Sequence, residues 1–365
     1  MQKVKIEEFL SLARQYPVLD VRSPGEYSHA HIPGAYNLPL FSDNERKVVG
    51  TTYKQEGREL AIKIGLDYFG TKMRKMVEEV EEIIKLKSPN SNSRFQETNS
   101  QFPIPNSHIV LIHCWRGGMR SAGVAWLLDL YGFKVYTLVG GYKSFRNWAL
   151  LQFEKPYSFN IIGGYTGSGK TEILKELAGK GHAVIDLEGI ARHKGSAFGW
   201  LGEEPQATQE MFENILGLEL HNVTHSLPDN ECIWLEDESR RIGLVNIPGA
   251  LWDAMRQSPV YFLEVPFEER LAYITEAYGK YEQKELVNSV MRIQKRLGGL
   301  DTKNAVNYLL EKNYKEAFRV LLTYYDKYYE RSLESRDNLS RLLTTVVCGD
   351  MDIKTNSKKL IEIKQ

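Results

Sequence analysis

Cysteine is scarce in this sequence: Cys114, Cys232 and Cys348 are the three among 365 residues. Their odd number, wide spacing and lack of any Cys-x-x-Cys pair exclude a disulfide framework and a cysteine zinc site, and point to a reducing compartment. Net charge is also absent, with 47 basic residues balanced by 47 acidic ones. A global field that draws in nucleic acid is thereby excluded, so any RNA contact must come from a local basic surface. No run approaches the roughly 18 apolar residues of a membrane span. The N-terminal MQKVKIEEFLSLARQYP reads as a short amphipathic helix, with acids where a signal peptide has its apolar core. The expectation is a soluble cytoplasmic protein without a membrane partner. Short repeats of the solenoid kind are missing too.

What is present reads as two α/β domains, the prior for a chain of this length. Residues 1–148 alternate strand and helix: PVLDV at 17–21, HIVLIHC at 108–114 and KVYTLVGG at 134–141 as strands, with RSAGVAWLLDLYG at 120–132 as a helix ending on glycine. Within that half, KLKSPNSNSRFQETNSQFPIPNS at 85–107 has no hydrophobic period and is expected to be a mobile loop or insertion. Residues 149–156 are expected to link this half to a second α/β domain over 157–365. There YSFNIIGG (157–164), AVIDL (183–187), CIWLED (232–237) and VYFLEV (260–265) read as strands, TEILKELAGKG (171–181) as a helix, and most of 267–335 as helix. Such alternation implies mainly parallel sheets covered by helices.

Two loops carry the chemistry. In HCWRGGMRS (113–121), Cys114 ends a strand while Arg120 and Ser121 open a helix. Gly117 and Gly118 permit the backbone angles that turn successive N–H groups inward, and such a ring binds a tetrahedral oxyanion while lowering a thiol's pKa. Arg116 and Arg120 add charge and forked donors. A reactive, anion-binding cysteine follows, but the spacing suits a protein tyrosine phosphatase as well as a sulfurtransferase. A phosphatase also needs a general acid on a mobile loop, and no segment announces one.

The second loop, GYTGSGKT (164–171), lies between an apolar strand and a helix, the context of a phosphate-binding loop. Gly164, Gly167, Ser168, Gly169, Lys170 and Thr171 are its expected diphosphate-binding residues, with the Thr171 hydroxyl available to Mg²⁺. WLEDESRRIG (234–243) supplies Glu236, Asp237 and Glu238 as candidate cleft acids beside Arg240. Arg192 and His193, in DLEGIARHKGSAFG (186–199), and Arg292 and Arg296, on one helical face of RIQKRLGGL (292–300), are candidate phosphate or tRNA contacts. The aromatic run YKEAFRVLLTYYDKYYE (314–330) reads first as helix core and second as a source of base-stacking rings.

VLDVRSPGEYSHAHIPGAYNLPL (18–40), together with HIVLIHC and LVGGYKSFRNW (138–148), resembles the rhodanese family. The match runs through Asp20, Val21, Arg22, Glu26, Tyr27, Ala30, His31, Ile32, Pro33, Gly34, Ala35 and Asn37. It implies that the Asp-Val-Arg turn and the His31 stretch brace the fold and that Cys114 carries sulfur or selenium. A rhodanese-like domain followed by a P-loop NTPase-like α/β domain with a helical C-terminal part, in this motif order, is similar to the tRNA 2-selenouridine synthase family over nearly the whole chain.

That resemblance implies a transferase acting on the wobble uridine (U34) of tRNAs for Lys, Glu and Gln, converting 2-thiouridine through S-geranyl-2-thiouridine to 2-selenouridine. Geranyl diphosphate and selenophosphate would be co-substrates, the latter from a selenophosphate supplier, with no tightly bound cofactor. Cys114 would form an S-selanylcysteine intermediate, and Arg116, Gly117, Gly118, Arg120 and Ser121 would bind selenophosphate. Rivals are an ATP-dependent tRNA sulfurtransferase or kinase-like enzyme with a persulfide-carrying rhodanese domain, and a tRNA-binding or persulfide-relay module without catalysis of its own.

Overall fold

A computed structural model describes residues 1–87, 108–226 and 231–364. Most of the 85–107 stretch lies outside the described residues; 85–87 close the helix Met73–Lys87. The chain forms two compact units, Met1–Leu151 and Gln152–Gln365.

The first unit is built on a parallel sheet of β1 (Gln2–Val4), β2 (Val18–Asp20), β3 (Tyr36–Asn37), β4 (Ile109–His113) and β5 (Lys134–Leu138), in the order β1-β5-β4-β2-β3. The β-branched and leucine residues of the inner strands β2 and β4 are buried on both faces, as a helix-covered parallel sheet requires. Val110, Ile112, Val124 and Leu128 join Leu19 and Val21 in the core. Helix Met119–Tyr131 stops at Gly132, whose φ of 112° suits glycine. Two expectations need correction. The first residues form an edge strand rather than helix, since Lys3 and Lys5 alternate with buried Val4, which pairs with Leu138; the helix starts at Ile6. Residues 149–152, expected in the linker, continue the helix Gly141–Gln152.

The second unit has a parallel sheet of β6 (Phe159–Gly164), β7 (Ile233–Glu236), β10 (Val260–Glu264) and β11 (Leu343–Val347), ordered β11-β10-β6-β7. β8 (Arg241–Ile242) and β9 (Val245–Asn246) form a small antiparallel hairpin. β6 is buried throughout and flanked by β7 and β10, so the loop after it leaves the carboxyl edge where the chain crosses from one side of the sheet to the other. AVIDL, expected to be a strand, makes a single bridge from Val184 to Trp234. Its Asp186 instead caps the helix Leu187–Ala191, accepting from the Gly189 amide, and this pulls the chain out of the sheet. Helices Phe267–Tyr278, Gln283–Leu297, Gly299–Leu310 and Tyr314–Glu334 pack around Leu271, Leu286, Leu309 and Phe318.

Candidate functional site

Cys114 follows β4 and is 3% exposed. The first turn of helix Gly141–Gln152 holds its loop by the backbone: the Tyr142 amide donates to the Cys114 carbonyl at 2.8 Å and the Lys143 amide to the Trp115 carbonyl at 3.0 Å. With those carbonyls tied down, the loop's own N–H groups are free to serve the sulfur side. Glycine is required for this approach. A Cβ on Gly141, at φ 61°, would lie 2.3 Å from the Cys114 carbonyl oxygen, and one on Gly117, at φ 64°, would lie 2.6 Å from that of Leu138.

The Cys114 sulfur is 3.2 Å from the Ser121 hydroxyl. Burial pushes the thiol pKa up, but the Ser121 hydroxyl and amide, the Arg120 charge and the Gly118 amide outweigh it, leaving the thiol below its ordinary value. Arg120 is ion-paired with Glu26 at 2.8 Å, and Glu26 also closes the capping box on Ser23. Arg120 thus acts on the thiolate from a tethered position, whereas Arg116 is exposed beside the loop.

Beneath the loop, buried Arg22 binds Asp20 through both Nε and Nη2 and donates to the Ala30 carbonyl at 2.7 Å. Its guanidinium lies 3.9 Å from the centroid of the Tyr142 ring, which couples the Asp-Val-Arg turn to the helix that tethers the cysteine loop. His31 stacks on Tyr27 with Nδ1 at the Tyr27 carbonyl, a bracing role. His113 is fully buried, and burial lowers its pKa.

In the second unit, Gly164, Gly167 and Gly169 all adopt positive φ, and the Lys170 ammonium donates to the Gly164 carbonyl at 2.9 Å. Helix Lys170–Gly179 opens directly after the turn, so its first N–H groups point into the loop. Ser168 is buried within it. The Thr171 hydroxyl lies 3.1 Å from Glu236 Oε2 and 3.2 Å from Glu188 Oε2, and the Glu188 amide donates to Glu236 Oε1 at 2.9 Å. Glu238 meets Glu188 opposite Gly195, where a Cβ would strike both carboxylates. Burial first, and the neighbouring carboxylates second, raise all three acids, Glu238 to about 7 and Glu188 and Glu236 higher, so the cluster retains protons at neutral pH.

The three expected cleft acids therefore divide. Glu236 and Glu238 join the loop, but Asp237 turns away, accepting from Tyr329 at 2.7 Å and pairing with Arg336. Alternate residues of an extended segment point to opposite sides, so adjacent acids cannot all face one loop. Tyr329 also accepts from the Gly164 amide at 3.1 Å. Arg270 binds Asp326 in bidentate fashion and donates to the Thr166 carbonyl at 3.1 Å, and Tyr165 donates to Glu330 at 2.7 Å. Helix Tyr314–Glu334 thus grips the front of the loop from Asp326 to Glu330.

Sequence reasoning missed Glu188, Tyr329 and the Arg270–Asp326 pair. Glu188 stood inside the quoted DLEG stretch, but nothing local ties the others to the loop. Arg192 pairs with Glu204, and His193 is buried with its pKa lowered by burial and by Arg292. Arg240 is exposed against Gly249. Arg292 and Arg296 are exposed and lie beside Trp200 and Tyr324 respectively.

Among the described residues, no group of three or more His, Cys, Asp or Glu side chains is arranged to hold a metal ion. Thr171 with Glu236 and Glu188 is an all-oxygen set, which suits a hard cation that shares its ligands with a bound diphosphate. Among the same residues, no helix is long and apolar enough to cross a membrane.

Comparison with known proteins covers both units. Residues 5–147 match the rhodanese-like domain, and residues 157–345 match the tRNA 2-selenouridine synthase AAA domain. The tRNA 2-selenouridine synthase of Bdellovibrio bacteriovorus is 33% identical, over 92% of this chain and 94% of that protein. Those of Sulfurovum sp. and Hydrogenovibrio crunogenus are each 33% identical, over 90% and 88% of this chain and 91% of each of those proteins. With one family model spanning more than half the sequence and full-length relatives at this identity, the chain belongs to the tRNA 2-selenouridine synthase family.

Proposed function

We propose that this chain replaces the sulfur of 2-thiouridine at the tRNA wobble position with selenium in two steps that use geranyl diphosphate and selenophosphate. In the first step the 2-thio sulfur bonds to C1 of the geranyl group, the C1–O bond breaks, diphosphate leaves, and the base loses its N3 proton. In the second, the selenium of selenophosphate bonds to C2, the C2–S bond breaks and geranylthiol leaves, and water cleaves the Se–P bond, releasing phosphate and returning the N3 proton. Alkylation makes chemical sense because a bare thiocarbonyl sulfur is a poor leaving group.

The observation that carries this reading is the Cys114 site: a thiol below its ordinary pKa, reached by the Ser121 hydroxyl and by the Ser121 and Gly118 amides. Such a ring suits a tetrahedral anion and would hold selenophosphate beside the Cys114 thiolate, with its selenium free to attack C2 of the geranylated base. The phosphate loop supports the other half. Its amides and Lys170 stabilise the charge that develops on the departing diphosphate. Where Mg²⁺ accompanies that diphosphate, Thr171, Glu236 and Glu188 are the residues that would hold it, and the ion would neutralise further charge on the leaving group.

The tRNAs for Lys, Glu and Gln are the proposed substrates. Selenophosphate is a co-substrate in this reading, and a separate selenophosphate-forming enzyme is its proposed supplier. Incubation of the purified protein with 2-thiouridine tRNA and both co-substrates, followed by mass spectrometry of the nucleosides, tests the reading: 2-selenouridine is expected. Formation of nothing but ATP hydrolysis products, stimulated by tRNA, would favour the ATP-dependent sulfurtransferase instead.

A further inference from the structure

Five side chains of the second unit form a ladder of rings and guanidinium groups, with Arg292, Arg296 and Tyr328 exposed and Trp200 and Tyr324 half-buried against the core. The Arg292 guanidinium lies 4.8 Å from the centroid of the half-buried Trp200 ring, whose Nε1 is fixed by the Ser289 hydroxyl at 3.2 Å. Arg296 follows one turn later on helix Gln283–Leu297, which turns Leu286, Val290, Ile293 and Leu297 into the core and leaves both arginines in solvent. Arg296 reaches Tyr324 on helix Tyr314–Glu334, and Tyr324 faces Tyr328 across one turn. Neither arginine forms an ion pair among the described residues, whereas nearby Arg192 and Lys194 are neutralised by Glu204 and Glu203.

The exposure of Tyr328 beside these arginines points to a ligand. The ring centroids of Tyr324 and Tyr328 are 6.4 Å apart with planes 25° from parallel, and Tyr328 is 50% exposed. Tyr328 thus offers a ring to solvent beside cations that have no acidic partner among the described residues, the combination on which single-stranded bases stack. The next residue, Tyr329, binds the Gly164 amide, so the ladder ends one residue from a direct contact to the phosphate loop.

We infer that this ladder is the docking surface for the single-stranded anticodon loop of the tRNA: Tyr324 and Tyr328 stack a loop base, and Arg292 and Arg296 contact the adjoining phosphates. The inference rests on the tRNA-modifying reading above and adds where the RNA lies. Every base has a flat face, so such stacking tolerates sequence, while single-stranded loops alone can splay bases into it.

The test is anisotropy of a fluorescent anticodon stem-loop carrying 2-thiouridine, titrated with full-length protein across a range of salt. Tyr328→Ala is expected to weaken binding about tenfold, within the range for loss of one stacked base, and Tyr328→Phe to retain it. The double variant Arg292→Ala, Arg296→Ala is expected to reduce the slope of log affinity against log salt by about 1.4, the value for two phosphate contacts on a single strand. Folded variants that bind as the wild type does, with an unchanged slope, would overturn this surface. A wild-type protein that does not bind the stem-loop would overturn the tRNA reading itself.

Discussion

The Cys114 sulfur and the Ser121 hydroxyl lie 3.2 Å apart, and the same hydroxyl donates to the Gly118 carbonyl at 3.1 Å. Ser121 therefore has two uses for one proton. While Cys114 is a thiol, the hydroxyl can satisfy the loop carbonyl; once the thiolate forms, rotation of the hydroxyl gives the sulfur a donor. The site gains most when charged, as a nucleophile's surroundings should.

Replacing Ser121 with Ala removes that donor. The expected result is a higher Cys114 pKa and slower alkylation by iodoacetamide at neutral pH, with the rate recovering at high pH, where the thiolate forms without help. Alkylation rates measured against pH check this; an unchanged profile would show that the Ser121 hydroxyl does not stabilise the thiolate.

Gly141→Ala places a Cβ 2.3 Å from the Cys114 carbonyl oxygen at a φ of 61°. Both faults act on the backbone, so the cost is expected to exceed ~1 kcal/mol, the size of the gain that alanine brings where it can adopt a glycine's conformation. A thermal melt should show the loss, and cysteine reactivity should change with it. Retention of wild-type stability would contradict the tight approach of the helix to the loop.

Tyr329→Phe deletes the hydroxyl that accepts from the Gly164 amide and donates to Asp237. Leaving such buried groups unpaired costs roughly 1–3 kcal/mol. Urea denaturation should show that loss, together with weaker geranyl diphosphate binding, because Gly164 begins the phosphate loop.

Acid titration in the second unit gives a prediction of definite sign. Burial and neighbouring carboxylates raise Glu238 from its ordinary 4.5 to about 7 in the folded, ligand-free protein. Between those values the folded state holds a proton that the unfolded state has released, so this group's contribution to stability falls as pH rises from about 4.5 to about 7, then levels off. Glu238→Gln cannot ionise. Denaturation midpoints of the variant should decline less than those of the wild type between pH 5 and 8, in about the window set by that shift. Equal declines would remove Glu238 as the source.

The parts of the fold that depend on neighbouring residues were legible in the sequence. A strand, a glycine turn and a helix start follow one another within HCWRGGMRS and GYTGSGKT, and both loops fold accordingly. What closes the sites was not legible. Glu26 reaches Arg120 across 94 residues, and Tyr329 reaches Gly164 across 165. Pattern within a window cannot pair such residues. Where local signals competed, the polar residue decided: Asp186 preferred to cap a helix rather than extend AVIDL as a strand, and alternation sent Asp237 away from its neighbours. The aromatic run of helix Tyr314–Glu334 served more than one end, with Phe318 in the core and Tyr328 in solvent.

The central claim is a division of labour between the two loops, with geranylation at Lys170 and selenation at Cys114. Nucleoside mass spectrometry on 2-thiouridine tRNA, incubated with geranyl diphosphate and selenophosphate, separates the steps in one assay. Lys170→Ala should lose geranylation by about 10²–10³-fold, the usual cost of one charge-stabilising donor. Cys114→Ala should accumulate S-geranyl-2-thiouridine and form no 2-selenouridine. A folded Cys114→Ala protein that made neither product, or one that still made 2-selenouridine, would contradict the account.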